Sequence, residues 1–257
     1  MTGLEQLAVL AAGLGAGILT TTVGVASLLS FPVLVAIGIP PVVANASNTV
    51  GLIPAGLSGS FGYREELREH PRVTATVILT CAAGAVLGAA LLLGLDPSVF
   101  EAVVPWLILF TCLLVGAQPW ISRWLRRHHD AAHPPAPRET MSPTTTFFAA
   151  LTGVYGGYFG AGSGVMMMAV LGFGLDIDLR VINALKTLAV MAANVVATLI
   201  FLFLADLDWL AIALLAGGSV VGGYVGAHIG RRLSSTVLRT LVVLAGLTAF
   251  ALLLARG

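Results

Sequence analysis

The sequence predicts an all-α polytopic membrane protein built as two inverted repeats of four helical segments each, with segments 1 and 5 broken into re-entrant hairpins. Three observations predict it: scarce charge, a duplication at constant offset, and one apolar stretch whose length fits neither one crossing nor two. Hydrophobic residues make up 58% of the chain and charged residues 10%, with mean hydropathy +0.98. Soluble domains carry roughly 25% charged residues, so lipid is the expected surroundings.

Apolar segments run at about 6–37, 41–63, 73–94, 98–121, 144–175, 180–204, 208–229 and 235–255. The first is interrupted near Gly24 and the fifth within GAGSG, Gly160–Gly164. From Thr140 to Leu175 there are 36 residues without a charge. A straight helix of that length would measure ~54 Å against a hydrocarbon core of ~30 Å, and two full crossings would need more than ~40 residues. The glycine cluster marks the expected break, which survives in a membrane only where protein or water meets the freed backbone groups. One polar connection of length, Arg123–Pro143, contains RRHHDAAHPPAPRE and reads as a flexible linker. It divides the chain into a repeat at 1–122, a linker at 123–143 and a second repeat at 144–257.

A shift of 138 positions places Gly15 on Gly153, Gly24 on Gly162, Asn45 on Asn183, Thr49 on Thr187, Gly84 on Gly222 and Gly88 on Gly226. Internal repeats are the expected construction of secondary transporters. Charge orients the copies. If every segment crosses once, the basic residues divide between both sides. If segments 1 and 5 enter and leave on one face, Arg64, Arg68, Arg72, Arg123, Arg126, Arg127, Arg138, Arg180, Arg231, Arg232 and Arg239 fall together and Arg256 stands opposite. The positive-inside rule selects the second arrangement. Each half then crosses three times, the repeats are inverted, both termini lie outside and the linker is cytoplasmic.

The N-terminus, MTGLEQLAVL, has no basic n-region, so the first segment is expected to be retained. Cys81 and Cys112 lie in apolar segments and read as small buried hydrophobes. No GxxxxGK[ST], HExxH, G-x-S-x-G or Cys/His metal set occurs, so neither an ATPase nor a membrane enzyme is expected. No resident cofactor or metal is expected; a coupling ion, H⁺ or Na⁺, stays open. The expected partners are lipids and a small anion, not nucleic acid, and the oligomeric state is not legible.

Candidate site residues fall in two groups. The hairpin tips are Thr20, Thr21, Thr22 and Gly24 in the first half, and Gly160, Gly162, Ser163 and Gly164 in the second. Broken helices offer orphan N–H groups and a positive dipole end to an anion, although small residues also serve close helix packing. The second group lies in NASNT and NALKT: Asn45, Asn48 and Thr49, then Asn183, Lys186 and Thr187, with Asn194 two turns on. Asn45/Asn48 and Asn183/Lys186 are three apart and share a helical face; interhelical hydrogen bonding is the competing use of the asparagines. Lys186 is the only lysine in the chain. It either snorkels to an interface or faces a polar cavity, where a charge marks a functional site. No Asp or Glu lies deep in a span, which excludes a relay of buried carboxylates.

These stretches resemble a known family. AAGLGAG…FPVLVAIGIPPVVANASNT, GVYGGYFGAGSGVMMMAVLGF, RVINALKTLAVMAANVVATLIF and DWLAIALLAGGSVVGGYVGAHIGRRL together resemble the sulfite exporter TauE/SafE family over nearly the whole length. The first tip, TTTVGVAS, is poorer in glycine than the family pattern. The resemblance implies an inner-membrane transporter of sulfite, sulfoacetate or other sulfonates, built as an inverted four-plus-four repeat. The expected function is therefore secondary transport of a small sulfur-containing anion by alternating access. A carrier for another ion, or a non-transporting subunit that scaffolds a partner enzyme, are the alternatives.

Overall fold

A computed structural model describes residues 1–22, 25–61, 70–131, 140–229 and 235–256. Within them the chain forms α1 (Gly3–Thr22), α2 (Ser27–Ala36), α3 (Pro41–Gly51), α4 (Ile53–Phe61), α5 (Pro71–Gly94), α6 (Pro97–Ala131), α7 (Pro143–Tyr158), α8 (Ser163–Gly174), α9 (Leu179–Leu204), α10 (Trp209–Ile229) and α11 (Ser235–Arg256). There is no strand among the described residues. Proline opens α3, α5 and α7, where its missing N–H costs nothing. The polar residues between spans act as caps. Ser142 Oγ accepts from Thr145 N at 3.1 Å, Asp178 Oδ1 from Arg180 N at 2.7 Å, and Asp208 Oδ1 from Ala211 N at 2.9 Å.

Six helices, α1, α5, α6, α9, α10 and α11, are long and apolar enough to cross a membrane. At most 39% of the residues in any of these spans are buried inside the protein. Their outer faces carry residues such as Leu79, Phe203 and Trp120, which water would not tolerate in such density and lipid does. The interior is a seam between the halves. Phe31 of α2, Phe100 of α6 and Phe159 after α7 are all buried, with ring centroids 5.4–6.4 Å apart in edge-on and tilted contacts.

The tightest packing crosses between halves. Gly13 and Gly17 of α1 lie against Leu215, Ser219 and Gly223 of α10, while Gly218 and Gly222 lie against Leu10 and Leu14. The second interface repeats this pattern. Gly153 and Gly157 of α7 lie against Cys81 and Ala85 of α5, and Gly84 and Gly88 lie against Ala150, Val154 and Tyr158. In both, residue numbers rise together, so α1 runs parallel to α10 and α7 parallel to α5. By contrast α6 and α11 are antiparallel: Trp106 meets Phe250, and Cys112 Sγ reaches Val243 O. Trp124 meets Phe173 and Thr111 meets Gly162, so α6 and α8 are parallel.

Three features depart from the sequence expectation. The segment at 41–63 is two helices, because Pro54 has no N–H to give and its ring crowds the carbonyl one turn back. Its counterpart α9, with Ala192 at that place, is continuous. α6 runs on to Ala131, nine residues into the expected linker, with Leu125 packed on Gly172 and Trp124 on Phe173 holding the extension. Finally, the offset of 138 does not hold along the whole repeat. By the places they take in the two interfaces, Gly13 matches Gly153 and Gly17 matches Gly157, an offset of 140, while Gly84 matches Gly218 and Gly88 matches Gly222, an offset of 134. Close backbone contact fixes the register of each helix, and small length differences in the connections absorb the slip.

These interfaces admit no side chain at their glycines. Gly88→Val should lower stability by roughly 1–3 kcal/mol or more, because its methyls would meet the backbone of Val154 and Tyr158. Gly116→Val, with open space at its Cβ position, should stay within about 0.5 kcal/mol of the parent. Thermal unfolding in detergent separates the two.

Candidate functional site

The second-half hairpin stops inside the protein at Phe159 and restarts at Ser163. Gly160 and Gly162 take φ of 80° and 77°, left-handed conformations that favour glycine. Three of the carbonyls at the break are met by side chains. Gly160 O accepts from Ser163 Oγ at 2.9 Å. Ala161 O accepts from Tyr155 Oη at 2.7 Å, and Thr111 Oγ1 stands 3.1 Å from the same oxygen and 2.8 Å from Tyr155 Oη. Tyr158 O, at the end of α7, accepts from Asn45 Nδ2 of α3 at 2.9 Å. Two of the groups that hold this tip, Asn45 and Thr111, come from the first half.

Beside the tip lies a cavity of about 480 Å³. Gly160, Gly162, Ser163 and Gly164 line it from the second hairpin, and Thr20, Ala26 and Ser27 from the first. From α9 come Asn183, Lys186, Thr187, Val190, Met191 and Asn194. The first half supplies Thr49, Leu52 and Gly56, which stand 138 positions before Thr187, Val190 and Asn194. Both copies of the repeat therefore present the same stripe to one space. Gln118 and Ser122 of α6, together with Met168 of α8, complete the polar and soft parts of the wall.

Lys186 is half-buried on this wall, and its Nζ donates to Asn183 Oδ1 at 2.7 Å. No carboxylate pairs with it among the described residues. The hydroxyls around it are already engaged as donors: Thr20 Oγ1 to Ala16 O, Thr49 Oγ1 to Asn45 O, Thr187 Oγ1 to Asn183 O and Ser163 Oγ to Gly160 O. The N–H groups of Ser163, Val165 and Met166 in the first turn of α8 are taken by Gly160 O and Gly162 O, so the donor groups on the wall are the remaining ammonium protons of Lys186 and the side-chain amides of Gln118 and Asn194.

The structure brings together ten of the residues expected from the sequence: Thr20, Thr49, Gly160, Gly162, Ser163, Gly164, Asn183, Lys186, Thr187 and Asn194. Thr21 and Thr22 close α1 with side chains outside the described set, and Gly24 lies outside the described residues. Asn45 and Asn48 do not line the cavity. Both are buried, and Asn48 Oδ1 accepts from Ser30 Oγ at 2.5 Å. Sequence reasoning missed Thr111 and Tyr155 at the tip and Gln118, Ser122, Met168 and Met191 in the wall. None of these follows the repeat or carries a charge, so no signal marked them. Asn45's polar spacing was visible, but not which neighbour it would cap.

The family model for the sulfite exporter TauE/SafE family matches residues 9–253. The chain belongs to the TauE/SafE family. It is a multi-pass membrane transporter by that membership, not an enzyme. TauE/SafE relatives include a "Probable membrane transporter protein ORF9" from Sinorhizobium sp, 28% identical over 246 residues that cover 93% of this chain and 88% of the relative. A "Probable membrane transporter protein" from Haemophilus influenzae is 25% identical over 250 residues, covering 94% and 92%. No solved structure matches this chain.

In this TauE/SafE protein the tip's oxygen cluster is expected to set its rigidity. Tyr155→Phe removes the proton given to Ala161 O and should cost roughly 1–3 kcal/mol. Hydrogen exchange of the 159–164 amides, faster in the variant than in the parent, checks it.

Proposed function

We propose that this protein is a secondary transporter that binds a small sulfur-containing anion, sulfite or an organosulfonate, at Lys186. Alternating access of the two halves carries the anion across the cytoplasmic membrane. One observation carries the reading: a cation stands in a cavity between the helices with an amide as its partner, and among the described residues no carboxylate neutralises it. A buried ion in that position is unfavourable unless a counter-ion joins it. The family's description names sulfite, which selects the anion class. A metal-ion cargo finds no support, since no group of His, Cys, Asp or Glu able to hold one exists among the described residues.

The inverted arrangement is supported by helix directions. With α1 pointing one way, α10 points with it and α11, the next span, points back. Antiparallel packing then turns α6 to the direction of α1, α5 to the opposite one, and α7 with α5. On this reading α1 and α7, α5 and α10, and α6 and α11 oppose each other pairwise, as inverted copies require. Combined with the arginine distribution, it supports a cytoplasmic linker and both termini outside.

Two measurements test the proposal. Sulfite or an organosulfonate should raise the thermal midpoint of the purified protein, as binding to the folded state must. Lys186→Gln should weaken that binding at least ~10-fold, a loss of about 1.4 kcal/mol, while the protein still folds; an unchanged shift would remove Lys186 from the site. Flux into vesicles with imposed H⁺ or Na⁺ gradients reads the coupling ion. For orientation, Arg138→Cys in intact cells should resist an impermeant thiol reagent and react after permeabilisation; immediate labelling would reverse the assigned sides.

A further inference from the structure

Three helix ends meet where the chain leaves for the linker and returns from it. Trp124 of α6 packs on Phe173 of α8 with ring centroids 4.5 Å apart, Leu125 lies on Gly172, and Gly174 lies against Thr145 of α7. Between α7 and α8 at this end the surface sinks into a groove of about 520 Å³ that shares no residue with the cavity at Lys186. Its lining changes with depth. Ser142 and Thr144 stand at the start of α7, while Phe148, Ala169 and Val170 lie further in, below Phe173. Phe148 and Phe173 are about half exposed, and in a multi-pass membrane protein such faces meet lipid. Thr144 is exposed and its hydroxyl has no partner among the described residues.

Charge stands on one rim. Arg123, Arg126 and Arg127 are exposed on α6, where its apolar span ends. Arg123 Nε donates to Pro119 O at 3.3 Å. Arg127 lies three residues past Trp124, hence on the side that meets Phe173, and Arg126 stands on the opposite side of the helix. Asp176 and Asp178 follow α8, and Asp178 Oδ1 accepts from Arg180 N at 2.7 Å. A guanidinium and a hydroxyl at the rim, an indole at their level and apolar walls below repeat the order of a phospholipid from headgroup to chain.

We propose that this groove seats an acyl chain of an anionic phospholipid, with its phosphodiester held by Arg127 and Thr144. The arginine fork matches two phosphate oxygens, and Thr144 Oγ1 supplies a further proton. Phe148, Ala169 and Val170 take the first methylenes of the chain. A zwitterionic lipid carries the same chains but brings its own cation to the arginine, and a water-soluble phosphate ester carries no chain. The groove lies at the base of the α7–α8 hairpin, whose other end bears Gly160–Gly164. A lipid seated there braces the hairpin from outside.

Dioleoyl phosphatidylglycerol titrated into the delipidated, detergent-purified protein, with bound lipid counted by native mass spectrometry, tests it. The first lipid should bind about tenfold tighter than dioleoyl phosphatidylcholine, and glycerol phosphate should not bind. Arg127→Gln should weaken that lipid about fivefold, the worth of one basic residue at a membrane surface. Arg126→Gln removes the same charge from the other side of α6 and should stay within about twofold of the parent. Ala169→Phe fills the groove, leaves the charge alone and should weaken binding several-fold; the lipid-free thermal midpoint checks that it folds, and the exposed Arg127 variant carries the test if it does not. Phosphatidylcholine bound as tightly overturns the proposal, since no charge is then read. Equal losses in the two arginine variants overturn it as diffuse attraction. Full binding in Ala169→Phe, or glycerol phosphate bound as tightly as the lipid, overturns it because no chain is then seated. A dimer that forms without lipid and is lost in Ala169→Phe also overturns it, and gives the groove to a second copy.

Discussion

A helix that ends inside a bilayer leaves carbonyls with no water to meet them, and that constraint shapes this protein. At the second hairpin three freed oxygens, those of Tyr158, Gly160 and Ala161, are met by Asn45, Ser163 and the Tyr155–Thr111 pair. Each unmet group in hydrocarbon would cost several kcal/mol. The break is therefore possible only where the other half of the chain stands ready to close it. α3 supplies more than one such bond: Ser47 Oγ accepts from Asp208 N at 2.9 Å at the start of α10, while Asn45 closes the end of α7. NASNT, a five-residue stretch that reads as a binding motif, spends much of its polarity holding helix ends.

The same constraint explains the glycine seams. A broken hairpin has to be gripped by something rigid, and without a hydrophobic force between helices in lipid, close backbone contact does the gripping. α1 is gripped by α10 and α7 by α5, so each hairpin is clamped by the opposite half. The hairpins cannot move relative to their clamps without opening these interfaces. Any rearrangement that changes access to the cavity must pass through looser contacts, where side chains instead of backbones meet. The Phe31–Phe100–Phe159 cluster between the tips and the halves is of that kind.

Much of this was legible in the sequence, and the limits have physical causes. Charge depletion and segment length reported the spans and the break at GAGSG because hydrocarbon thickness is a fixed ruler. The lone lysine reported itself because its cost in a membrane is high. Asn45 and Asn48 were harder: spacing of three says that two residues share a face, but the partner of that face is a tertiary fact. In the second copy the same face opens on the cavity, and in the first it is covered by α2 and the end of α7. The constant offset misled for a related reason. Sequence copies are compared position by position, whereas the helices were set in register by contact, and slips of two to four residues vanish into connections. Pro54 was visible, yet its consequence at Leu52 was not read because one hydropathic run hid two helices.

What the cavity lacks is as informative for mechanism as what it holds. On the proposed reading, the site has to attract an anion and then let it go. Hydroxyl protons on Thr20, Thr49, Thr187 and Ser163 are held by their own backbones, so these side chains offer lone pairs, which do not tighten on an oxyanion. Attraction then falls to one flexible ammonium and to the side-chain amides of the wall. An arginine fork would grip the same group in two parallel bonds and release it slowly. With Asn183 Oδ1 waiting 2.7 Å from Nζ, the lysine keeps a neutral partner when the cargo leaves. That partner offsets part of the cost of the empty site without neutralising the charge: a counter-ion is still favoured, yet release does not have to overcome the full cost of a stranded charge.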